Sequence, residues 1–425
     1  MTEKIKLLCY LDSPFAYTGF ATVCKNIIKP LYDSQKYNIH QFAINHDNNF
    51  HDTELYPWQC IPARLADPKD PYGRAHFLQL IAKGDYDIIF IVNDTFVLSP
   101  LVPRLKEILE HKKNYSLKIP SIIYYYPVDC RLKEEHSELI KMADFPIAYS
   151  KFAIEETVKV IPELKDKLQY IYHGTDTEQF FPYRPEIIHR IKKEIFNLKA
   201  DDYLIINVNR NTSRKQLTRT LLCFKEFRKT VSNSYLYLHA NPYDRGINLI
   251  ECIKELNLEL NKDVMIPPNY SSAHGVPEKT LNQIYNAGDL FLSNHLGEGF
   301  GLTEREAMAA GTPILVPENT VEPEIVGKQK GFMYPCKEQT YIDLSGFRKI
   351  GLISDIVKQM IKIHQMGWKH KLPQVINARK WIEKNTWNII NQQWSIIFDQ
   401  AYQKTIDYQN NLAKKDKDDI GAMII

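Results

Sequence analysis

Short apolar runs alternate with helix-like segments along this chain of 425 residues, and no other feature constrains its fold as strongly. Ile88–Val92 and Leu290–Leu292 are wholly apolar, as strands covered on both faces of a parallel sheet are. The β-α-β-α order occurs in the first half of the chain and begins afresh at Tyr203–Val208. This pattern predicts an α/β fold with parallel sheets, and the length favours two domains over one.

Charge and cysteine content narrow the class of protein. The formal net charge of +3 predicts no strong nonspecific binding to nucleic acid or membrane, although a local basic patch would still allow peripheral membrane contact. The seven cysteines are scattered without a C-x-x-C pair, so we expect reduced thiols, a cytoplasmic location and no disulfide framework or zinc site. The sequence predicts neither a signal peptide nor a membrane-spanning helix.

One stretch joins the two halves of the chain. It contains Pro182 and Pro185 and shows little periodicity, as a connection between domains does. We therefore predict a first domain at residues 1–177 and a second at residues 178–395.

A glycine-rich stretch, 294–313, contains the most specific local signal. Gly299 and Gly301 flank Phe300 after an apolar strand, and a helix is predicted from Thr303 to Ala310. The unpaired backbone N–H groups and the dipole at such a helix N-terminus favour a bound phosphate. The stretch therefore predicts a nucleotide-sugar site.

Two carboxylates bracket this loop. Because carboxylates repel phosphate, Glu298 and Glu306 are better suited to hydroxyl groups of a sugar or a ribose. The structural alternative is that Thr303 and Glu306 form an S/T-x-x-E capping box and that the two glycines serve an ordinary turn.

Three cations follow the strand Tyr203–Val208 and precede a helix predicted at residues 217–229. Arg210 and Arg214 each offer a planar guanidinium fork, and Lys215 offers a mobile point charge; both suit a diphosphate. The alternative is a solvated cluster at a helix start, which the helix dipole disfavours.

Two further positions follow predicted strands. Gly19 lies in the loop after the first strand, and Asp129 lies just beyond the strand 121–126, where ligands bind in open α/β sheets. Each has a structural alternative as a turn former.

Taken together, these motifs resemble those of family 4 glycosyltransferases. The resemblance covers the chain from about the first strand to Trp394. The segments that carry it are 18–20, 173–182, 209–215, 281–289, the E-x7-E signature from Glu298 to Glu306, and 317–326.

The resemblance implies the GT-B architecture, in which two Rossmann-like domains face each other across a cleft. The first domain would bind the acceptor and the second the donor, and a C-terminal helix at about 396–425 would pack back on the first. Family members transfer a hexose from a UDP- or GDP-linked donor with retention of configuration. They need no tightly bound cofactor and usually no metal.

The resemblance also assigns roles to residues. Arg210 and Lys215 would stabilise the diphosphate, Glu298 would bind the sugar, and Glu306 would bind the ribose. Asp129 lies near a position where relatives place a residue, often His, that contacts the transferred sugar or the acceptor. The remaining predicted donor contacts are Gly19, Gly299, Phe300, Gly301, Leu302 and Thr303.

Two other functions remain open at this stage. The protein could be a GT-B-type sugar-nucleotide epimerase or hydrolase, or a non-catalytic binder of sugar nucleotides. The acceptor could be a glycan, a lipid, a protein, a small molecule or a modified nucleic acid. Recognition of the base is expected from backbone groups near 267–270.

Overall fold

The computed structural model describes residues 3–46, 54–63, 70–268, 275–342 and 346–423, with the side chains of 413–423 left out. The chain divides into two compact units. Unit 1 contains Met1–Val128, Leu132–Tyr172 and Trp387–Ile425, and unit 2 contains Asp129–Arg131 and His173–Thr386.

Unit 1 is built on a parallel sheet of seven strands in the order β3-β2-β1-β4-β5-β6-β7. The strands are β1 Ile5–Asp12, β2 Tyr37–Ile44, β3 Gln59–Pro62, β4 Ile88–Val92, β5 Ser121–Tyr126, β6 Phe145–Ala148 and β7 Gln169–Tyr170. All neighbouring strands run parallel, with Leu7 opposite Ile88, for example. The order 3-2-1-4-5 is that of a Rossmann-like sheet, so the predicted fold class is confirmed for this half.

Helices cover the sheet of unit 1 because their apolar residues recur at helical spacing. They are α1 Gly19–Asp33, α2 Arg74–Lys83, the short α3 Thr95–Leu98, α4 Val102–Asn114, α5 Glu138–Met142 and α6 Lys151–Val160. The first of these begins after Thr18, whose hydroxyl accepts a hydrogen bond from the N–H of Ala21. It buries Val23, Ile27 and Leu31 against the sheet.

Unit 2 contains a second parallel sheet, with six strands in the order β10-β9-β8-β11-β12-β13, and a separate antiparallel hairpin. The strands are β8 Tyr203–Val208, β9 Ser234–His239, β10 Val264–Met265, β11 Leu290–Leu292, β12 Ile314–Pro317 and β13 Phe332–Tyr334. The hairpin consists of β14 Glu338–Ile342 and β15 Gly346–Ile350. The sequence pattern predicted β8 and β11 but not this hairpin.

The central strand of unit 2 shows how its two cores arise. Ile205 belongs to one apolar cluster, and Leu204 and Ile206 belong to another. Successive side chains of a strand point to opposite faces, so each face of the sheet has its own core. The covering helices are α7 Pro185–Phe196, α8 Leu217–Arg228, α9 Leu249–Glu255, α10 Glu278–Ala287, α11 Leu302–Ala310, α12 Glu322–Ile325, α13 Ile353–Gln365 and α14 Gly367–Glu383.

The last helix, α15 Trp387–Met423, belongs to unit 1. Trp394 and Phe398 lie against the ring of Phe90 in β4, with ring centroids 5.4 and 5.2 Å away. Farther along the helix, the Thr405 hydroxyl donates to the carbonyl of Asp87 at 2.7 Å. The helix is thus part of the core of the first sheet. Across the described residues, none of the helices combines the length and the hydropathy that crossing a membrane requires.

Candidate active site

A buried loop connects β11 to α11 and forms the centre of the candidate site. Gly301 is the N-cap of α11 and has a left-handed φ of 78°, so the helix begins at Leu302, one residue earlier than predicted. A β-carbon at Gly301 would lie 2.9 Å from Oε2 of Glu304. Glycine is therefore required here both for its φ and for space. Gly299 and Phe300 precede it and are buried.

Gly297 is a second close approach, which the sequence interpretation missed. A β-carbon on it would lie only 2.0 Å from the carbonyl oxygen of Asp129. The sequence shows a glycine directly before Glu298, which indicates a turn or a close approach of the backbone. It does not show that Asp129 is the residue approached.

The capping-box interpretation of Thr303 and Glu306 is wrong. Gly301 occupies the N-cap, and Thr303 is the second residue of the helix, where its hydroxyl donates to Glu304 at 3.0 Å. Glu306 instead accepts a hydrogen bond of 2.6 Å from the hydroxyl of Tyr285 in α10. Its carboxylate is thus held by a tertiary contact.

Glu298 lies against two of the three predicted cations. The ammonium of Lys215 donates to its Oε1, and Nη1 of Arg214 lies 3.0 Å from the same oxygen. Burial alone would raise the pKa of Glu298, but Arg214 and Lys215 outweigh it and lower that pKa well below its usual range. Glu298 is therefore a buried, ionised carboxylate at the start of the glycine loop.

Asp129 extends this cluster. Its carboxylate lies 3.3 Å from Nε of Arg214 and 2.9 Å from Nη2 of Arg348. Arg348, which comes from β15, also donates to the backbone carbonyl of Asp129 at 2.5 Å. Cations and carboxylates thus alternate from Lys215 through Glu298, Arg214 and Asp129 to Arg348. We call these five residues the ionic chain.

The structure does not bring Arg210 into the ionic chain. Its guanidinium binds both carboxylate oxygens of Asp244 at 3.0 Å, and 44% of its side chain is exposed. Within the described ranges, no hydrogen bond or ion pair joins Arg210 to Lys215 or Glu298. Arg214, which the sequence interpretation named as a cation but not as a site residue, occupies that place.

The other predicted contacts lie in different surroundings. Gly19 is the first residue of α1 in unit 1, next to Thr18, whose hydroxyl donates to Asp12 at 2.5 Å. The ring of Phe300 lies 4.7 Å from that of His173, which begins one of the family-like segments. Burial lowers the pKa of His173 to about 3, so this imidazole is neutral. Asn269 and Tyr270, part of the expected base-recognition segment, lie outside the described residues.

A cluster that the sequence interpretation missed lies directly beneath the glycine loop. Ligand-type atoms of His295, Glu304 and Glu322 all lie within 4.8 Å of one another, a spacing that a metal ion could bridge. Arg305 binds both oxygens of Glu322 at 2.9 and 2.8 Å. The signal in the sequence was weak, because charged residues at 304 and 305 look like ordinary surface residues of a helix.

Known proteins share this fold and part of this sequence. Residues 189–343 match the model of the family "Glycosyl transferases group 1". Sucrose-phosphate synthase (tll1590) from Thermosynechococcus elongatus superposes with a TM-score of 0.69 at 15% identity, over 95% of this chain and 100% of that one. Anabaena Alr3699/HepE in complex with UDP and glucose gives a TM-score of 0.66 at 17% identity, over 93% and 100%.

A third structure, WaaG, a glycosyltransferase involved in lipopolysaccharide biosynthesis, gives a TM-score of 0.65 at 13% identity, over 92% and 99% of the two chains. Among curated proteins, no sequence matches. Identities this low show the fold, which is GT-B with two Rossmann-like domains. The match to the glycosyltransferase family model is confined to residues 189–343, whereas the similarity of fold extends over nearly the whole chain.

Proposed function

We propose that this protein is a retaining glycosyltransferase that moves a hexose from a UDP- or GDP-linked donor to an acceptor hydroxyl. The observation that carries the proposal is the ionised Glu298 held by Lys215 and Arg214 beside the N-terminus of α11. A sugar diphosphate carries negative charge, which cations and unpaired N–H groups at a helix start stabilise. The carboxylate can accept hydrogen bonds from the sugar next to that charge.

In the proposed reaction, the acceptor oxygen forms a bond to the anomeric carbon on the face from which the diphosphate departs. The electron pair of the broken bond leaves with the diphosphate, and the acceptor proton passes to a phosphate oxygen. Lys215, Arg214 and the N–H groups of Leu302 and Thr303 stabilise the charge that develops on the leaving group. In this proposal, the two cations compensate the charge of the leaving diphosphate, and the reaction requires no metal ion.

The two carboxylates of the E-x7-E signature have separate tasks in this proposal. Glu298, ionised by its cationic neighbours, accepts hydrogen bonds from hydroxyls of the sugar. Glu306, whose carboxylate is oriented by Tyr285, accepts hydrogen bonds from the ribose. Donor residues Gly299, Phe300 and Gly301 form the loop backbone between them.

Arg210 and Asp129 require a change of partner to act as predicted. Arg210 would exchange Asp244 for a phosphate of the donor, which is feasible because the pair is exposed and such pairs are weak. Asp129 would contact the transferred sugar or the acceptor from its place between Arg214 and Arg348. Gly19 stays a predicted donor contact.

The remaining assignments are part of the same proposal. The N-terminal domain would bind the acceptor and the second domain the donor. The scattered cysteines, without a C-x-x-C pair, support a cytoplasmic setting. UDP is the first nucleotide to test, because it is bound in the Anabaena structure.

A panel of UDP-, GDP- and ADP-sugars tests this function. We expect calorimetric binding of one donor and its slow hydrolysis to the nucleoside diphosphate, with both strongly reduced in Lys215→Ala and retained in the exposed control Lys229→Ala. A product that is an epimerised donor, formed without acceptor, would favour the epimerase alternative. Binding without any turnover would favour the non-catalytic binder, and absence of binding to every donor would refute the proposal.

A further inference from the structure

Four ionisable side chains are buried together beneath the glycine loop, and the proposed reaction uses none of them. His295 comes from the loop, Glu304 and Arg305 from the first turn of α11, and Glu322 from α12. The side chains of all four have 0% exposure. We call these four residues the buried ion network.

Acidic and basic side chains alternate in the network. Nη2 of Arg305 donates to both carboxylate oxygens of Glu322, and Nε2 of His295 lies 3.5 Å from Oε1 of Glu322. The same imidazole nitrogen lies 4.0 Å from Oε1 of Glu304. Two carboxylates therefore face one guanidinium and one imidazole.

The Arg305 guanidinium argues against a metal site, although the spacing of the carboxylates and the imidazole would accept an ion. Arg305 already occupies both oxygens of Glu322 in the way that a bound cation would. A divalent ion placed beside that guanidinium would add like charge in a region that excludes water, where such repulsion is costly.

The network is in direct contact with the donor loop. Nε of Arg305 donates to the backbone carbonyl of Phe300 at 3.2 Å, and the guanidinium lies 5.8 Å from the centre of the Phe300 ring. A β-carbon at Gly301 would lie 3.2 Å from both the Arg305 guanidinium and Oε1 of Glu322. The network therefore contacts the backbone of the loop at Phe300 and Gly301.

The segment that supplies Glu322 also contacts the loop through its preceding residues. The Nδ2 of Asn319 donates to the carbonyl of His295 at 3.3 Å, and the N–H of Glu298 donates to the Thr320 hydroxyl at 3.0 Å. Thr320 has a φ of 40°, which is rare for a β-branched residue. Strain of this kind is retained where surrounding contacts fix the backbone, and it clusters at functional sites.

Stability alone is a poor reason for such a network. Replacing a buried ion pair by apolar side chains of similar volume is often neutral or stabilising, because desolvation of the charges offsets their attraction. What apolar side chains could not do is donate to the Phe300 carbonyl and fix the position of the Gly301 backbone.

We propose that Arg305 and Glu322 are positioning residues, which hold the Phe300–Gly301 backbone in the conformation that binds the donor's diphosphate. This inference rests on the proposed function for its ligand. His295 and Glu304 are the other two members of the network. Neither Arg305 nor Glu322 contacts the donor in this proposal; both act through the loop.

The test compares the double variant Arg305→Met/Glu322→Leu with the wild-type chain. Removing both charges avoids an uncompensated buried ion, so we expect the thermal midpoint to change little. Hydrogen exchange of the amides from 297 to 303 should become faster in the ligand-free protein. The Kd for UDP, or for GDP where the donor panel selects it, should rise roughly tenfold to a hundredfold, because small misplacements of a binding group have effects of this size.

A second arginine offers a matched control. Arg228 also pairs with a carboxylate, that of Asp263 at 2.9 Å, and also donates to a backbone carbonyl, that of Ser234. We expect Arg228→Met/Asp263→Leu to leave both the loop exchange and the nucleotide Kd unchanged. Should the first double variant fail to fold, Arg305→Lys, which keeps the charge but loses the guanidinium fork, should show the same faster exchange.

The outcomes separate this proposal from the proposed function. Unchanged exchange of residues 297–303 in both Arg305 variants would overturn the positioning role even if UDP binds. Faster exchange in a protein whose wild-type form binds no nucleoside diphosphate would refute the proposed function while supporting the loop contact. One equivalent of tightly bound metal in the wild type, lost in Glu322→Gln, would overturn the ion network in favour of a metal site.

Discussion

The ionic chain and the buried ion network both contact the loop before α11 and differ in their access to solvent. Each combines carboxylates with cations, but in the ionic chain Arg214 and Asp129 remain 31% and 27% exposed, whereas the network is fully enclosed. Partly exposed charges can exchange one another for a phosphate at low cost, because water screens the intermediate arrangement. Enclosed charges cannot do so. We therefore expect the ionic chain to exchange partners with a bound ligand and the buried ion network to hold the backbone of the loop.

The largest effect should follow from removing one charge of the buried ion network. Glu322→Gln leaves the Arg305 guanidinium buried without its counter-charge, so we expect a loss of about 3–5 kcal/mol in the free energy of unfolding. Urea unfolding measures it. The double variant Arg305→Met/Glu322→Leu should recover most of the loss, and a single variant as stable as the wild type would contradict the enclosed character of the network.

In the ionic chain, the corresponding change should affect activity rather than stability. Lys215→Ala removes one cation that faces the leaving diphosphate, and we expect donor turnover to fall about 10²–10³-fold. The thermal midpoint should change little, because Arg214 still neutralises Glu298. Turnover that matches the Lys229→Ala control would show that the ionic chain does not bind the donor.

A pair of glycines separates backbone strain from crowding in the loop. Gly301 and Gly346 have similar φ values of 78° and 75°, but a β-carbon at Gly346 would meet no atom of the described residues within 4 Å. Gly346→Ala should therefore cost about 1–2 kcal/mol from its backbone conformation alone. Gly301→Ala should cost more, because it also pushes against the buried ion network. Equal losses in calorimetry would mean that the network yields to the extra methyl group.

The low pKa of Glu298 makes a prediction about acid stability. A carboxylate whose pKa is lowered on folding stabilises the native state above its ordinary pKa of 4.5, and this contribution is lost as the pH falls below that value. Glu298→Gln should lack it, so the stability difference between wild type and variant should shrink from pH 6 towards pH 3. A constant difference across this window would show that Glu298 is not held by Arg214 and Lys215.

The smallest effect concerns Arg210. Asp244→Ala releases its guanidinium without removing it, and an exposed pair contributes at most about 1 kcal/mol. We expect little change in stability and a few-fold lower Kd for UDP, because Arg210 no longer exchanges a partner on binding. A higher Kd, measured by calorimetry, would mean that Asp244 presents Arg210 to the donor instead of competing with it.

Predictions from the sequence succeeded where the signal was local. The strands β4 and β5 and the end of α11 at Ala310 follow from apolar runs and from residue preferences a few positions apart. The capping box failed for a related reason. Thr303 and Glu306 have the right spacing, but Gly301 takes the cap position because it alone adopts the required φ in the space available.

The partners of the charged residues could not be predicted from neighbouring positions in the sequence. The sequence placed three cations after β8 but could not tell that Arg214 and Lys215 would contact Glu298, 83 positions from Lys215, while Arg210 would bind Asp244. Arg348 reaches Asp129 across 219 positions from a hairpin that no periodicity predicted. Such partners depend on how the strands are ordered in the sheet.

By itself, the sequence determined the alternation of strands and helices, the two-domain α/β fold and the glycine loop before α11, because each depends on the chemistry of neighbouring residues. Only the tertiary structure decided which carboxylate meets which cation. In particular, it enclosed Arg305 and Glu322 under the loop and left Arg210 at the surface. The strength of a charge interaction depends on how deeply the charges are buried. Burial arises only when several helices and strands pack together, so it cannot be read from one segment of the sequence.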